Sequence, residues 1–347
     1  TLKSDATGTA SFIIEGSSNG TATAELFQSA TTWHYVTLPV DVEDVSVTSD
    51  MLHTVHSSTD YYGYYWDEAN KQYVQLTSGT ELSNQMRGYA IPNETEQTLT
   101  FNGTLVTGTQ SDAFTRTGAA AYSGYNLSGN PYTSGINLAT TSTMTGITTQ
   151  NLQESVWIRT DGTFITYNWA SGTSSPEGFT GYIPPMQAVW LKVADGQTSG
   201  SVEFTNTARA HTNDPVYKND DYQLLRLTAT REGFGDETVI GFYEQAQNKF
   251  ERFDTEKMFL SNPAYPHIFS LAGTHKLAIN GYPANAPENL SVPLGIKCQE
   301  QGIISLRATN ITDFNLMQDV WLEDRQTGNF INLRDNPEYT FVLKNQM

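Results

Sequence analysis

Short runs of alternating apolar and polar residues recur along the whole chain, and turn-forming residues separate them. Trp33-His-Tyr-Val-Thr-Leu alternates until Pro39 ends the run, and Tyr61-Tyr-Gly-Tyr-Tyr-Trp66 leads through a polar turn into a second strand at residues 72–76. A period of two is typical of β-strands, and Gly, Asn and Pro between the runs favour hairpin turns. The pattern predicts an all-β fold, with two antiparallel β-sandwich domains of jelly-roll or Greek-key type and little helix.

A polar, unpatterned stretch near residues 205–221 divides the chain. It predicts one β-sandwich over residues 1–207, a linker over 208–216 and a second β-sandwich over 217–347. Within the first domain, an aromatic strand, an aromatic hairpin, an apolar strand and a Thr-rich strand occur twice in the same order. This order predicts two similar halves, residues 1–107 and 108–207. The alternative is that the similarity is coincidental, because unrelated antiparallel β proteins often show a similar succession of strands.

The second half begins near a turn signal, Ser128-Gly-Asn-Pro131. Gly129 is expected to adopt a positive φ, and Asn130 is expected to be extended because a proline follows it. We interpret this stretch as a structural corner rather than a ligand site.

Composition and charge narrow the range of partners. The chain of 347 residues carries 37 acidic and 19 basic side chains, a formal net charge of −18. Such a charge repels phosphate backbones and anionic lipid surfaces, so we expect no nucleic-acid partner. No apolar run approaches the roughly 20 residues of a spanning helix, so we expect no membrane insertion.

Three stretches of the chain are similar to a known region. They are Trp33-His-Tyr-Val-Thr-Leu-Pro39, Gly124-Tyr-Asn-Leu-Ser-Gly-Asn-Pro-Tyr132 and Val320-Trp-Leu-Glu-Asp-Arg-Gln-Thr-Gly328. Together they resemble the region that lies upstream of the type IX secretion sorting domain in large secreted surface proteins of the Bacteroidetes. Tyr125 stands where that family has Trp, and Thr133 stands where it has a final Pro.

The resemblance extends over both expected domains and implies a location rather than a chemistry. It implies an exported protein, extracellular or at the outer-membrane surface, that serves adhesion or structural presentation. The partner implied is a glycan or protein of the host or matrix. The sequence leaves the oligomeric state open.

Catalytic patterns are weak. The Gly-x-Ser-x-Gly run at Gly16-Ser-Ser-Asn-Gly20 reads as a turn between two strands rather than a nucleophile elbow, and Cys298, the single cysteine, reads as a small buried residue. Carboxylate pairs are too frequent to single out a glycosidase site. We therefore predict no enzyme activity, no catalytic residue and no cofactor.

Two metal hypotheses remain open. His53 and His56 have a three-residue spacing, but strands or loops do not bring such a pair together by themselves. The acidic loops offer better oxygen ligands, and Asp214, Asp220 and Asp221 are the candidates for a structural calcium site. The alternative is that these loops are solvated turns.

The aromatic run at residues 61–66 places rings on both faces of one strand. Tyr62, Tyr64 and Trp66 lie on one face, and Tyr61 and Tyr65 lie on the other. A β-sandwich has one inner face, so one of the two sets must be partly exposed. Tyr62, Tyr64 and Trp66 are therefore candidates for sugar stacking, as in a carbohydrate-binding module accessory to an enzyme elsewhere in the full-length protein; packing is the alternative.

Overall fold

The computed structural model confirms the all-β fold class. In the part of the chain that it describes, strands dominate, and helix is limited to one turn of 3-10 helix at Asn206–Ala208. No helix among these residues is long and apolar enough to cross a bilayer. The described residues are 1–30, 33–41, 63–76, 84–92, 95–138, 146–160, 163–211, 223–287, 289–311 and 319–344.

The strands are short, and most of them pair antiparallel. In chain order they are β1 (Ser4–Asp5), β2 (Gly8–Thr9), β3 (Thr21–Gln28), β4 (Trp33–Val36), β5 (Tyr64–Asp67), β6 (Gln72–Gln75), β7 (Tyr89–Pro92), β8 (Gln97–Thr104), β9 (Gln110–Thr115), β10 (Tyr125–Gly129), β11 (Gly135–Asn137), β12 (Ile147–Gln150), β13 (Ser155–Thr160), β14 (Thr163–Asn168), β15 (Thr173–Ser175), β16 (Tyr182–Ile183), β17 (Ala188–Lys192), β18 (Ser199–Phe204), β19 (Arg209–Ala210), β20 (Gln223–Arg231), β21 (Phe234–Tyr243), β22 (Thr255–Glu256), β23 (His267–Ala272), β24 (His275–Pro283), β25 (Leu294–Lys297), β26 (Gly302–Thr309), β27 (Trp321–Asp324), β28 (Asn329–Asn332) and β29 (Glu338–Leu343).

The chain divides into two compact units. Unit 1 comprises Thr1–Gly162 and Thr180–Val216, and unit 2 comprises Thr163–Phe179 and Tyr217–Met347. This division differs from the expected one because residues 163–179 belong to unit 2. The expected linker also contains structure, since β19 pairs with β11 inside unit 1.

The same strand order occurs twice in unit 1. The order is β4-β7-β5 in the first half of the unit and β10-β17-β13 in the second, with every pair antiparallel. In the same way, β3 pairs with β8 and β9 pairs with β18. The core of the first half lies between the β3-β8 pair and the sheet that contains β4, β7 and β5, and includes Val36, Tyr89, Leu99 and Phe101.

The stretch from Tyr122 to Tyr132 is a structural corner, but its geometry differs from the expectation. Gly129 does not have a positive φ; it ends β10 and pairs with Ala188. Glycine is required there because a Cβ atom would overlap the Gln187 carbonyl oxygen and lie 2.7 Å from Ala188 Cα. The positive φ values occur earlier, at Tyr122 (66°) and Gly124 (83°).

Unit 2 is built on a sheet in the order β25-β23-β24-β21-β20-β26-β29, with β22 also paired to β24. Nearly all its pairs are antiparallel, but β21 and β24 run parallel. The crossover between them contains β22 and β23, and a parallel pair needs such a long connection. Alternation in β20 places Leu225, Leu227 and Ala229 in the apolar core and turns Arg226 toward the opposite face.

Residues 163–179 belong to unit 2 because they satisfy its buried polar groups. Arg226 is 1% exposed and donates to the Ser174 carbonyl at 2.9 Å. Asn168 is fully buried and donates to the Arg252 carbonyl at 2.9 Å and to Thr255 Oγ1 at 3.1 Å. Buried polar groups without such partners would destabilise the fold, so this segment completes unit 2.

Candidate functional site

One sheet of unit 1, in the order β4-β7-β5-β6, has an apolar face and an aromatic face. Residues directly opposite each other in antiparallel strands share a face. Val36, Tyr89 and Tyr65 therefore lie on one face, where they pack into the core. The opposite face carries the rings of Trp33, Tyr35, Tyr64, Trp66 and Tyr73.

The rings of this second face meet because the strand between them carries a small residue. Ala90 in β7 pairs with Tyr35 on one side and with Tyr64 on the other. Its methyl group leaves room for Trp33 to contact Tyr64, with ring centroids 5.4 Å apart and an edge-to-face arrangement. Trp33 also lies nearly parallel to Tyr73, with centroids 6.2 Å apart and an angle of 23° between the rings.

We call Trp33, Tyr64, Trp66 and Tyr73 the aromatic surface. Trp33 and Tyr73 are each 38% exposed, whereas Tyr64 and Trp66 are half-buried. Exposed aromatic rings held by other rings are a common feature of binding surfaces, because they offer a large contact area and lose little side-chain entropy. The exposed amide side chain of Gln75 lies opposite Tyr64 on the same face.

The base of the aromatic surface is rigid. Trp66 Nε1 donates to the Tyr125 carbonyl at 2.7 Å, and its ring packs edge-to-face on the buried Trp190 at 5.2 Å. The Tyr73 hydroxyl lies 2.7 Å from the hydroxyl of the buried Tyr35. Burial of this hydroxyl raises the pKa of Tyr73 well above its ordinary value, and the Tyr35 contact adds to the effect. Tyr73 therefore stays neutral and anchored.

The structure places the three predicted sugar-stacking residues differently. Tyr64 and Trp66 lie side by side on the aromatic surface, but Trp66 serves mainly as its support. Tyr62 lies outside the described residues. Trp33 and Tyr73, the two most exposed residues of the aromatic surface, were not among the predicted site residues. The pairing of Trp66 with Tyr73 in the hairpin would have placed Tyr73 on the same face and identified it as a candidate.

The metal hypotheses fall largely outside the described residues. Asp214, Asp220 and Asp221 lie there, and so do His53 and His56. Within the described ranges, no group of three His, Cys, Asp or Glu side chains could hold a metal ion. Cys298 is half-buried rather than buried, and its thiol donates to the Pro263 carbonyl at 3.4 Å.

The acidic pair Asp236 and Glu237 in β21 is buried and ion-paired. Lys257 Nζ lies 2.5 Å from Asp236, and Arg226 Nη1 lies 2.7 Å from Glu237. Burial opposes the ionisation of Asp236, but the Lys257 ammonium and the His267 ring outweigh it and hold the pKa of Asp236 below its usual range. Burial dominates for Glu237 and raises its pKa despite the Arg226 guanidinium. These contacts are typical of a structural network.

Asp254 is a third buried carboxyl group of unit 2. It is 3% exposed and accepts hydrogen bonds from the Gly281 and Glu251 backbone N–H groups, each at 2.7 Å. Burial raises the pKa of Asp254 to about 7, more than these hydrogen bonds lower it, and the Glu251 carboxylate adds to the rise. The folded state therefore binds this proton more tightly than the unfolded chain does.

Asp254 is expected to make unit 2 more stable as the pH falls from about 7 to about 4. Because the pKa is raised on folding, the stabilisation is complete below the unfolded value of 3.8 and is lost as the pH rises through about 7. The free energy of unfolding should change by up to about 1.4 kcal/mol per pH unit in this window. Urea denaturation of the wild type and of Asp254→Asn across this range measures the difference; a difference that does not vary with pH would contradict the assignment.

Comparison with known protein families gives a match over most of the chain. A model of a domain of unknown function, DUF8693, matches residues 10–347. No curated protein and no solved structure matches the chain. Because the family model spans nearly the whole sequence, this chain belongs to the DUF8693 family.

Proposed function

We propose that this chain is a non-catalytic module of an exported cell-surface protein, and that it serves adhesion by binding a glycan on the aromatic surface of unit 1. The observation that carries the proposal is the exposed, nearly parallel pair of rings formed by Trp33 and Tyr73. The resemblance to secreted surface proteins of the Bacteroidetes supports the location.

The chemistry of the surface suits a sugar. Pyranose rings present C–H groups on their faces and hydroxyl groups at their edges, so they combine apolar stacking with hydrogen bonding. Trp33 and Tyr73 supply the stacking area, and Gln75 supplies amide donors and acceptors beside them. The support from Trp66 and Tyr35 means that little ordering is required on binding, which favours affinity.

A glycan array followed by calorimetry on the best glycan tests the proposal. Trp33→Ala and Tyr73→Ala are each expected to weaken binding about tenfold or more, because truncation of a central aromatic anchor typically costs at least about 1–2 kcal/mol. Trp66 is unsuitable for this test because its indole N–H and ring support the fold of unit 1.

Phe12→Ala provides the matched control, since Phe12 is a 46% exposed aromatic residue of unit 1 that lies outside the aromatic surface. Binding should be unchanged in this variant, and thermal denaturation should verify that all three variants are folded. The proposal fails if no glycan binds, or if binding survives both Trp33→Ala and Tyr73→Ala. The first outcome would favour a presenting stalk that binds no glycan.

A further inference from the structure

Unit 2 contains a cleft of about 1050 Å³ on the inner face of its large sheet. The floor is formed by β23, β25, β26 and β29, and the two walls are the segment 289–293 and the β27-β28 hairpin. This volume is at the upper end of the range for small-molecule sites, roughly 300–1,000 Å³.

Among the residues that the structure describes, the apolar floor of the cleft is only partly covered. Leu294, Ile296, Phe341 and Leu343 pack against the core of unit 2, yet each remains half-buried. Side chains of this kind are usually fully buried in a core, because about 25 cal/mol is gained for each Å² of apolar surface removed from water. An apolar ligand that covered these side chains would gain this free energy.

The hairpin wall adds aromatic and acidic groups. Trp321 is 56% exposed and Phe330 is 64% exposed, and both line the cleft. Three carboxylates, from Asp319, Glu323 and Asp324, also line it, together with the guanidinium of Arg325.

The three acidic groups of the wall have different partners. The Tyr339 hydroxyl donates to Asp324 at 2.6 Å, and this bond holds the pKa of Asp324 below its usual range. Asp319 accepts a hydrogen bond from the Asn332 amide at 3.3 Å, and Glu323 lies 3.4 Å from Arg325. Asp319 therefore lacks a cationic partner among the residues that line the cleft, and the Arg325 partner of Glu323 is itself 73% exposed to solvent. A carboxylate ligand would be repelled, and a cationic group would be attracted.

We propose that this cleft is a second binding site, independent of the aromatic surface, and that it takes a small organic cation with an aliphatic or aromatic chain. The chain lies on the floor near Leu294 and Phe341, and the cationic end faces Asp319 and Glu323 on the hairpin wall. The site involves no covalent step.

Three probes with the same chain and different charge test the proposal: decylamine, decanol and decanoate, each titrated as a monomer into the full chain by calorimetry. Decylamine, which is protonated at neutral pH, is expected to bind about tenfold more tightly than decanol, and decanoate more weakly than decanol. Ser291→Trp places a large side chain at an exposed position of the wall and should abolish binding of all three probes.

A double variant separates the charge from the apolar contact. Asp319→Asn with Glu323→Gln should remove the tenfold preference for decylamine and leave the binding of decanol unchanged. Glu244→Gln with Glu338→Gln is the control, because it removes two exposed carboxylates of unit 2 that lie outside the cleft. The proposal is overturned if no probe binds, if binding survives Ser291→Trp in a folded protein, or if the preference for decylamine is absent or persists in the Asp319/Glu323 variant.

Discussion

Replacing Asn130 with aspartate is expected to destabilise unit 1 by about 3–5 kcal/mol, as the burial of an unpaired charge does elsewhere. Asn130 is fully buried, and its amide group donates to the carbonyl oxygens of Ser134 and Pro184, each at 2.8 Å. The Ile183 carbonyl lies 3.3 Å from the same nitrogen. Aspartate has the same shape, but it would aim a carboxylate at three carbonyl oxygens.

Asn102→Asp is the matched control for this substitution. Asn102 is exposed, and its side-chain oxygen accepts a hydrogen bond from Thr23 at 2.7 Å, a role that a carboxylate retains. Its effect should lie within about 0.5 kcal/mol. Urea denaturation measures both variants, and the loss in Asn130→Asp should shrink at low pH, where the carboxyl group is neutral. Equal losses in the two variants would refute the role assigned to Asn130.

The structural corner at Tyr122–Tyr132 shows which features local sequence patterns can predict and which they cannot. The dipeptide Asn130-Pro131 correctly indicated a break in the strand, because the restriction that proline imposes is local. The positive φ expected at Gly129 was wrong, since glycine is needed there for a different reason. The backbone at Gln187, distant in sequence, approaches too closely for a side chain. A single sequence does not distinguish these two uses of glycine.

The aromatic surface was partly predictable for a similar reason. Alternation placed Tyr64 and Trp66 on one face, which the strand register bears out. Which face would be buried depended on the β3-β8 pair on the other side of the sheet, and therefore on tertiary structure. The contribution of Trp33 depended on Ala90, a small residue in a strand that follows more than fifty positions later. Such neighbours arise from strand order and not from periodicity.

Local sequence patterns could not have predicted the boundary between the two units. Residues 163–168 form an ordinary β-strand, which the sequence assigned to the first domain. Their place in unit 2 follows from buried hydrogen bonds, such as that from Asn168 to the Arg252 carbonyl, which join positions far apart in the chain. Polar groups of this kind carry no periodic signal, although they decide which unit a segment completes.

The largest expected effect in unit 2 comes from its buried ion pair. Arg226 is 1% exposed, and its Nη1 atom lies 2.7 Å from Glu237 and 2.9 Å from the Ser174 carbonyl. Glu237→Gln keeps the shape and removes the charge, so the guanidinium remains buried without its near, buried counter-ion and keeps only the exposed Glu177 at 3.9 Å. Losing one partner of a buried pair typically costs about 3–5 kcal/mol, and we expect a loss of this size in the free energy of unfolding.

Glu177→Gln is the control for this prediction, because Glu177 is 56% exposed and lies 3.9 Å from the same arginine. Exposed pairs contribute at most about 1 kcal/mol, so this variant should be nearly neutral. The double substitution Arg226→Met with Glu237→Leu should recover most of the stability lost in Glu237→Gln, since two apolar side chains of similar size require no counter-ion. If the double variant is no more stable than Glu237→Gln, the stability lost in Glu237→Gln does not arise from the unpaired charge of Arg226.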